Sequence, residues 1–218
     1  MLSAVIKSKR FNSYIFMLIN TLVWGAALII VKPAFDVTTP FRFLLYRFAL
    51  ASIVALPILI YYIRKKKVSW KTFFTVSAIE MIGTTLNLGI LYIGVQRTSA
   101  IEASLISTTA PLFVILMGIL FLKEKQEKKE WLGFVFSFAG MILLTLLPIL
   151  TNGAVSHSAS LFGNLLIIGA NLAESSYFIT AKRSYSKLPK FLIASISFLV
   201  GVVSFSILSL WEINWSTS

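Results

Sequence analysis

Cysteine is absent from the 218-residue chain, histidine occurs once, and aspartate and glutamate together number 8 against 20 lysines and arginines. Without cysteine there is no disulfide scaffold, thiolate metal site or cysteine nucleophile. The one histidine, His157, falls in a short polar loop by this reading, which removes histidine-based metal sites and Ser-His relays from the membrane interior. Charge is scarce overall: 13% of residues are charged and 57% hydrophobic, with a mean hydropathy of +0.87. Such a balance is too apolar for a water-soluble core and points to an all-α polytopic membrane protein. The net charge of +12 would suggest nucleic acid in a soluble chain. Here the basic residues cluster between apolar runs, where they set topology and meet anionic lipid headgroups, so no nucleic acid is expected. No Gly-rich phosphate loop occurs, and no cofactor is expected.

What is there is a succession of apolar runs. Seven spans can be drawn, at about 13–31, 42–63, 71–93, 98–122, 131–150, 161–181 and 191–211. Lys7, Lys9 and Arg10 ahead of the first imitate a signal peptide, but that run is long and lacks a convincing cleavage site, so it reads as a retained helix. Basic residues alternate between connections: three in 7–10, five in 64–71, four in 123–129 and four in 182–190, against Lys32, Arg97 and none in 151–160 between them. The rule that cytoplasmic loops carry the positive charge then places the amino terminus inside.

The stretch from Thr98 to Glu130 is the most informative. It opens with small and hydroxylated residues, meets Pro111, continues as a Leu/Phe/Ile wall and ends at Lys123, with Glu102 the one charge before that. Small and hydroxylated faces permit close helix contact, and Pro111, expected to kink the helix, frees a carbonyl that protein or cavity water must satisfy. Glu124, at the end of this span, reads as a helix-positioning residue more readily than a substrate contact.

A shift of 150 residues lays 24–33 over 174–183, with Ile29 on Ile179, Lys32 on Lys182 and Phe41 on Phe191. Five spans in residues 1–150 followed by an equivalent unit starting in 151–218 imply inverted repeats, since five is odd. The first repeat would be complete, the second represented by its first two helices, and a full pair would need roughly 300 residues.

The residues Trp24-Gly25, FRFLLYRFALA at 41–51, YIGVQRTSAIEASLISTTAPLFVILMGILFLKEK at 92–125 and WLGFVFSFAGMILL at 131–144 resemble the EamA-like transporters of the drug/metabolite transporter superfamily. The resemblance implies ten helices in two inverted five-helix repeats. It further implies a permease for small organic metabolites, amino-acid-like solutes or drugs, that exports or exchanges them by alternating access.

Ionisable groups inside the spans are few, and each is costly to bury. Arg47 and Glu102 sit at similar depths near one face and could form a gating ion pair, or a purely structural one. Glu80, Thr84 and Asn87 share a helical face, as do Asn164, Asn171 and Ser175, with Glu174 on the edge. Two polar stripes of this kind either line a substrate cavity or serve as interhelical glue. Trp24, aligned with Glu174 by the repeat, is a cavity aromatic or an interfacial anchor. The expected partners are a small-molecule substrate and a bilayer with anionic headgroups at its cytoplasmic face, with a homodimer left open. The expected location is the plasma membrane, with a bacterial inner membrane preferred.

Other functions remain in play. A retinal protein needs a lysine midway along the seventh span, where there is none, and intramembrane hydrolysis wants histidine or aspartate pairs that no span contains. An enzyme is therefore not expected. A cofactor-free receptor would normally carry its amino terminus outside, and a non-transporting helper that completes a bundle with a partner chain is the other alternative.

Overall fold

The structure, a computed structural model, describes residues 2–66, 68–123, 128–151, 157–186 and 188–216. Glu124 lies outside them. Among the described residues there are helices and connections but no strand, as expected of a chain that must satisfy its backbone hydrogen bonds within each membrane segment.

Helix α1 runs unbroken over Leu2–Ala34, through the basic cluster at 7–10, and α2 follows over Pro40–Lys66. The third span is composite: α3 (Trp70–Glu80), a π-helical turn (Met81–Leu86) and α4 (Asn87–Arg97). The fourth is broken into α5 (Ala100–Ser107) and α6 (Ala110–Leu122), which ends on Lys123 in the left-handed conformation, φ 57°. Helices α7 (Lys128–Thr151), α8 (His157–Ser184) and α9 (Lys190–Ser216) complete the chain. His157 thus opens α8 and does not belong to the loop that the sequence suggested.

Among the described residues, five segments are long and apolar enough to cross a membrane: Tyr14–Ala34, Pro40–Lys65, Trp70–Arg97, Ala100–Leu122 and Lys190–Glu212. The chain is a multi-pass membrane protein. Helix α7 is apolar over Trp131–Leu143. Helix α8 is long enough, at 28 residues, but buried Asn164, Asn171 and Ser175 make it more polar than the others. The reason is position: α8 touches α3, α4, α5, α6, α7 and the π turn, so its polar side chains meet protein instead of lipid. Helix α1 is its opposite, with 6% of its apolar window buried.

Two pairings organise the bundle, α2 along α9 and α4 along α8. The first is lined by aromatic rings, with Phe48 5.8 Å from Phe198 and 5.5 Å from Phe205 between centroids. The second depends on reciprocal glycines. A Cβ on Gly94 would lie 2.9 Å from the Gly163 carbonyl oxygen, and one on Gly163 would lie 2.9 Å from the Gly94 oxygen. Only hydrogen fits there, which is how helices without a hydrophobic driving force between them come into backbone contact. Lys32 ties α1 to this pair by donating to the Val95 and Gln96 carbonyls at 2.9 and 2.7 Å. A cation on the last carbonyls of α4 suits the negative end of that helix.

Candidate functional site

The break in the fourth span sets the geometry of the site. Pro111 is the second residue of α6; it has no N–H and its ring excludes the carbonyl four residues back, so the helix stops at Ser107 and restarts after a Thr108-Thr109 turn. The expected kink is therefore a full interruption. The Thr108 and Thr109 hydroxyls bond back to the Leu105 and Ile106 carbonyls, each at 2.6 Å. Asn171 on α8 supplies a further donor, its Nδ2 reaching the Ile106 carbonyl at 3.0 Å and Thr109 Oγ1 at 3.2 Å. Irregular backbone at membrane depth is tolerated where protein satisfies it in this way. Ser175, one turn on, donates to the Asn171 carbonyl at 2.7 Å.

Between α6 and α8 lies a cavity of about 1050 Å³, lined by Pro111, Val114 and Ile115 on one side and Glu174, Phe178 and Lys182 on the other, with Tyr177, Tyr185 and Lys190 also in its wall. Sites for drug-sized molecules span ~300–1,000 Å³, so a small organic solute fits. Glu174, Phe178 and Lys182 follow one another at intervals of four residues and form a stripe on α8. The result is a wide, open and largely apolar cleft carrying one carboxyl and two ammonium groups.

Glu80 sits behind this wall at 2% exposure. Its Oε1 accepts from the Tyr177 and Tyr185 hydroxyls at 3.0 and 2.8 Å, and its Oε2 from Thr84 at 3.2 Å. Thr84 Oγ1 is in turn 2.8 Å from Ser197 Oγ on α9. Among the described residues no lysine or arginine pairs with Glu80. The Tyr177 ring lies on Gly83, where it leaves no room for an added Cβ. Tyr185 lies beyond the end of α8, and burial, then the Glu80 carboxylate, raises its phenol above the ordinary value, so it remains a donor. The π turn after Glu80 widens the helix: Asn87 N–H reaches back five residues to the Ile82 carbonyl. Thr84 and Asn87 both stay buried, and such turns recur at functional sites.

Arg47 and Glu102, expected as a pair, have different partners. Arg47 Nη1 donates to Tyr92 Oη at 2.7 Å and its guanidinium lies 5.8 Å over the Trp24 ring. Trp24 itself stays 49% exposed. Glu102 Oε2 meets Thr98 Oγ1 at 2.5 Å and Asn164 Nδ2 at 3.2 Å, and Thr98 Oγ1 is also 2.6 Å from Asn164 Oδ1. The single Thr98 hydroxyl proton can be donated to only one of these two acceptors at a time.

Of the residues singled out from sequence, then, Glu174 lines the large cavity. Glu80 and Thr84 form a cluster behind it, and Asn171 and Ser175 face the break. Tyr177, Tyr185, Ser197 and Tyr92 were missed. Tyr185 meets Glu80 across 105 positions of sequence, and no local pattern marks such a pair; three hydroxyl-bearing residues at 175–177 beside Glu174 were the available hint.

The chain is 26% identical over 210 residues to the uncharacterized transporter YetK of Bacillus subtilis (strain 168), covering 95% of the chain and 63% of that protein. It is 26% identical over 213 residues to YyaM of the same organism, covering 93% and 66%. An uncharacterized transporter of Archaeoglobus fulgidus is 24% identical over 198 residues, covering 88% and 65%. The chain thus spans just under two thirds of the length of these curated relatives. No solved structure matches it significantly. The model of the EamA-like transporter family matches residues 11–146, well over half of the sequence, and the chain belongs to that family.

Proposed function

We propose that the chain forms the greater part of a secondary carrier that exports or exchanges small organic solutes, amino-acid-like metabolites or drugs, by alternating access between two inverted repeats. The observation that carries this reading is the cavity of about 1050 Å³ between a broken helix and a polar α8 bearing Glu174. Interrupted helices at a repeat interface are the usual setting of carrier sites. The repeat itself is supported by helix boundaries: α8 ends at Ser184 and α9 starts at Lys190, each 150 residues after α1 ends at Ala34 and α2 starts at Pro40. Helices α2 and α9, equivalent under that shift, pack along one another, as elements beside a two-fold axis do. The basic connections argue for an amino terminus in the cytoplasm, and bacterial and archaeal relatives support a prokaryotic plasma membrane.

The test is counterflow in proteoliposomes with a panel of amino acids and apolar amines, comparing wild type with Glu174→Gln. Uptake of a panel member, lowered at least about ten-fold by the substitution, a loss of some 1.4 kcal/mol, is the expected result. Uptake that ignores Glu174 would move the site elsewhere. Uptake that needs a co-expressed second chain would favour the helper-subunit reading.

A further inference from the structure

A buried carboxyl group normally has a cation nearby. Among the described residues Glu80 has three hydroxyls instead, from Tyr177, Tyr185 and Thr84, the last continuing to Ser197. Proton counting shows what such a set allows. Each hydroxyl owns one proton. With Glu80 ionised, Tyr177, Tyr185 and Thr84 all donate to it, and Thr84 accepts from Ser197. With a proton on Oε2, Glu80 donates to Thr84, Thr84 turns its own proton to Ser197, and Oε1 still accepts from both phenols as a neutral oxygen. Each contact in this chain has a donor in both states, so gaining or losing a proton orphans none of its buried polar atoms. What changes is strength, because bonds to an ionised acceptor are roughly twice as strong as neutral ones.

We propose that Glu80 is a proton-binding site that acts on the cavity through its wall: ionised Glu80 holds Tyr177 and Tyr185 firmly in that wall, and protonation loosens the hold. Glu80 is here a positioning residue, since the two tyrosines line the cavity and Glu80 is buried behind them. The inference rests on the transporter reading and assigns the proton as the coupling ion. Among the described residues, the charged groups around the cluster are Lys71 on α3 itself, Glu174, Lys182 and Arg183 on α8 and Lys190 on α9; the π turn contributes Thr84 and no charge. Lys182, Lys190 and Glu174 share the cavity with the tyrosines, Lys71 lies with Tyr185 in the adjoining cleft, and Arg183 is turned to the Phe121 carbonyl. A proton on Glu80 would therefore be felt in the chamber by the two phenols first.

The absence of cysteine makes a direct test available. A single reporter thiol, Ala181→Cys on the cavity wall, is labelled with a water-soluble maleimide in proteoliposomes from about pH 5 to 8. A second thiol, Val37→Cys at an 88% exposed position, corrects for ionisation of the thiol itself. A severalfold step in the corrected rate is expected in wild type. Glu80→Gln should hold the rate at its acid-side value at every pH, and Tyr177→Phe with Tyr185→Phe should flatten the profile. Should Glu80→Gln fail to fold, Glu80→Asp decides: it keeps a titrating carboxyl on a shorter arm and should keep a step with a moved midpoint. A flat wild-type profile, or an unchanged step in Glu80→Gln or in the double phenylalanine variant, overturns the proposal. Solute counterflow is read separately. A step without flux counts against the carrier reading alone, and flux without a step counts against the proton site alone.

Discussion

The crossing of α4 and α8 should tolerate no methyl group, and the structure fixes how much one would cost. A Cβ on Gly163 would lie 2.9 Å from the Gly94 oxygen, 2.9 Å from the Arg97 carbonyl carbon and 3.0 Å from Thr98 Cβ. Ordinary carbon contacts begin near ~3.5 Å, and backbone cannot swing aside as a side-chain tip can. The helices must separate by roughly half an ångström, and overpacking of this kind typically costs about 1–3 kcal/mol. That is about a 5- to 150-fold fall in the folded-to-unfolded ratio. Equilibrium unfolding of the full chain in mixed micelles, on titration with a denaturing detergent, would measure it for Gly163→Ala, Gly94→Ala and the double variant. The two methyls strain the same crossing, so once the helices have parted the second should cost less than the first, and the double loss should fall short of the sum. Gly133 and Gly140 on α7 are the controls: an added Cβ meets nothing within 4 Å at either. Alanine there should be neutral or stabilising by up to about 1 kcal/mol through helix propensity. If Gly163→Ala behaves like Gly133→Ala, the close crossing is not a feature of the folded protein.

Three further outcomes follow from the same geometry. Asn171→Leu removes the donor to the Ile106 carbonyl and Thr109; with hydrogen bonds between membrane helices averaging ~0.6 and reaching ~1.7 kcal/mol, the same titration should show a loss of about 1–2 kcal/mol, and an unchanged midpoint would mean that the break does not need α8. Pro111→Ala should let α5 and α6 join, raising stability by up to about 3 kcal/mol while lowering solute counterflow; a variant both more stable and fully active would deny the break a role in transport. Lys32→Met should fray the last turn of α4, seen as faster amide exchange around Val95 to Thr98, with a stability loss of about 0.3–1 kcal/mol; unchanged exchange would make the Lys32 contacts incidental.

The sequence by itself determined the class, the approximate spans and the family, because the bilayer imposes them locally. Roughly 20 apolar residues cross it, and charges gather where the chain leaves it. Pro111 marked the weak point of the fourth span for the same reason, as its missing N–H is a property of one residue. Local pattern also found Glu80, Thr84, Asn171 and Glu174 as polar groups in apolar surroundings. Their division of labour was not legible. Helical spacing grouped Glu80 with Thr84 and Asn87 but carried no sign of the π turn between them, and it could not tell that Asn171 turns to the break while Glu174 turns to the cavity. Arg47 and Glu102 had matching depths, yet Tyr92 and Trp24 hold the one and Thr98 and Asn164 the other. Depth along a span follows from counting residues. Which neighbour a side chain meets depends on how helices rotate and cross, and that was decided by contacts such as Gly94 on Gly163 and the Tyr177 ring on Gly83, between residues 69 and 94 positions apart in the chain.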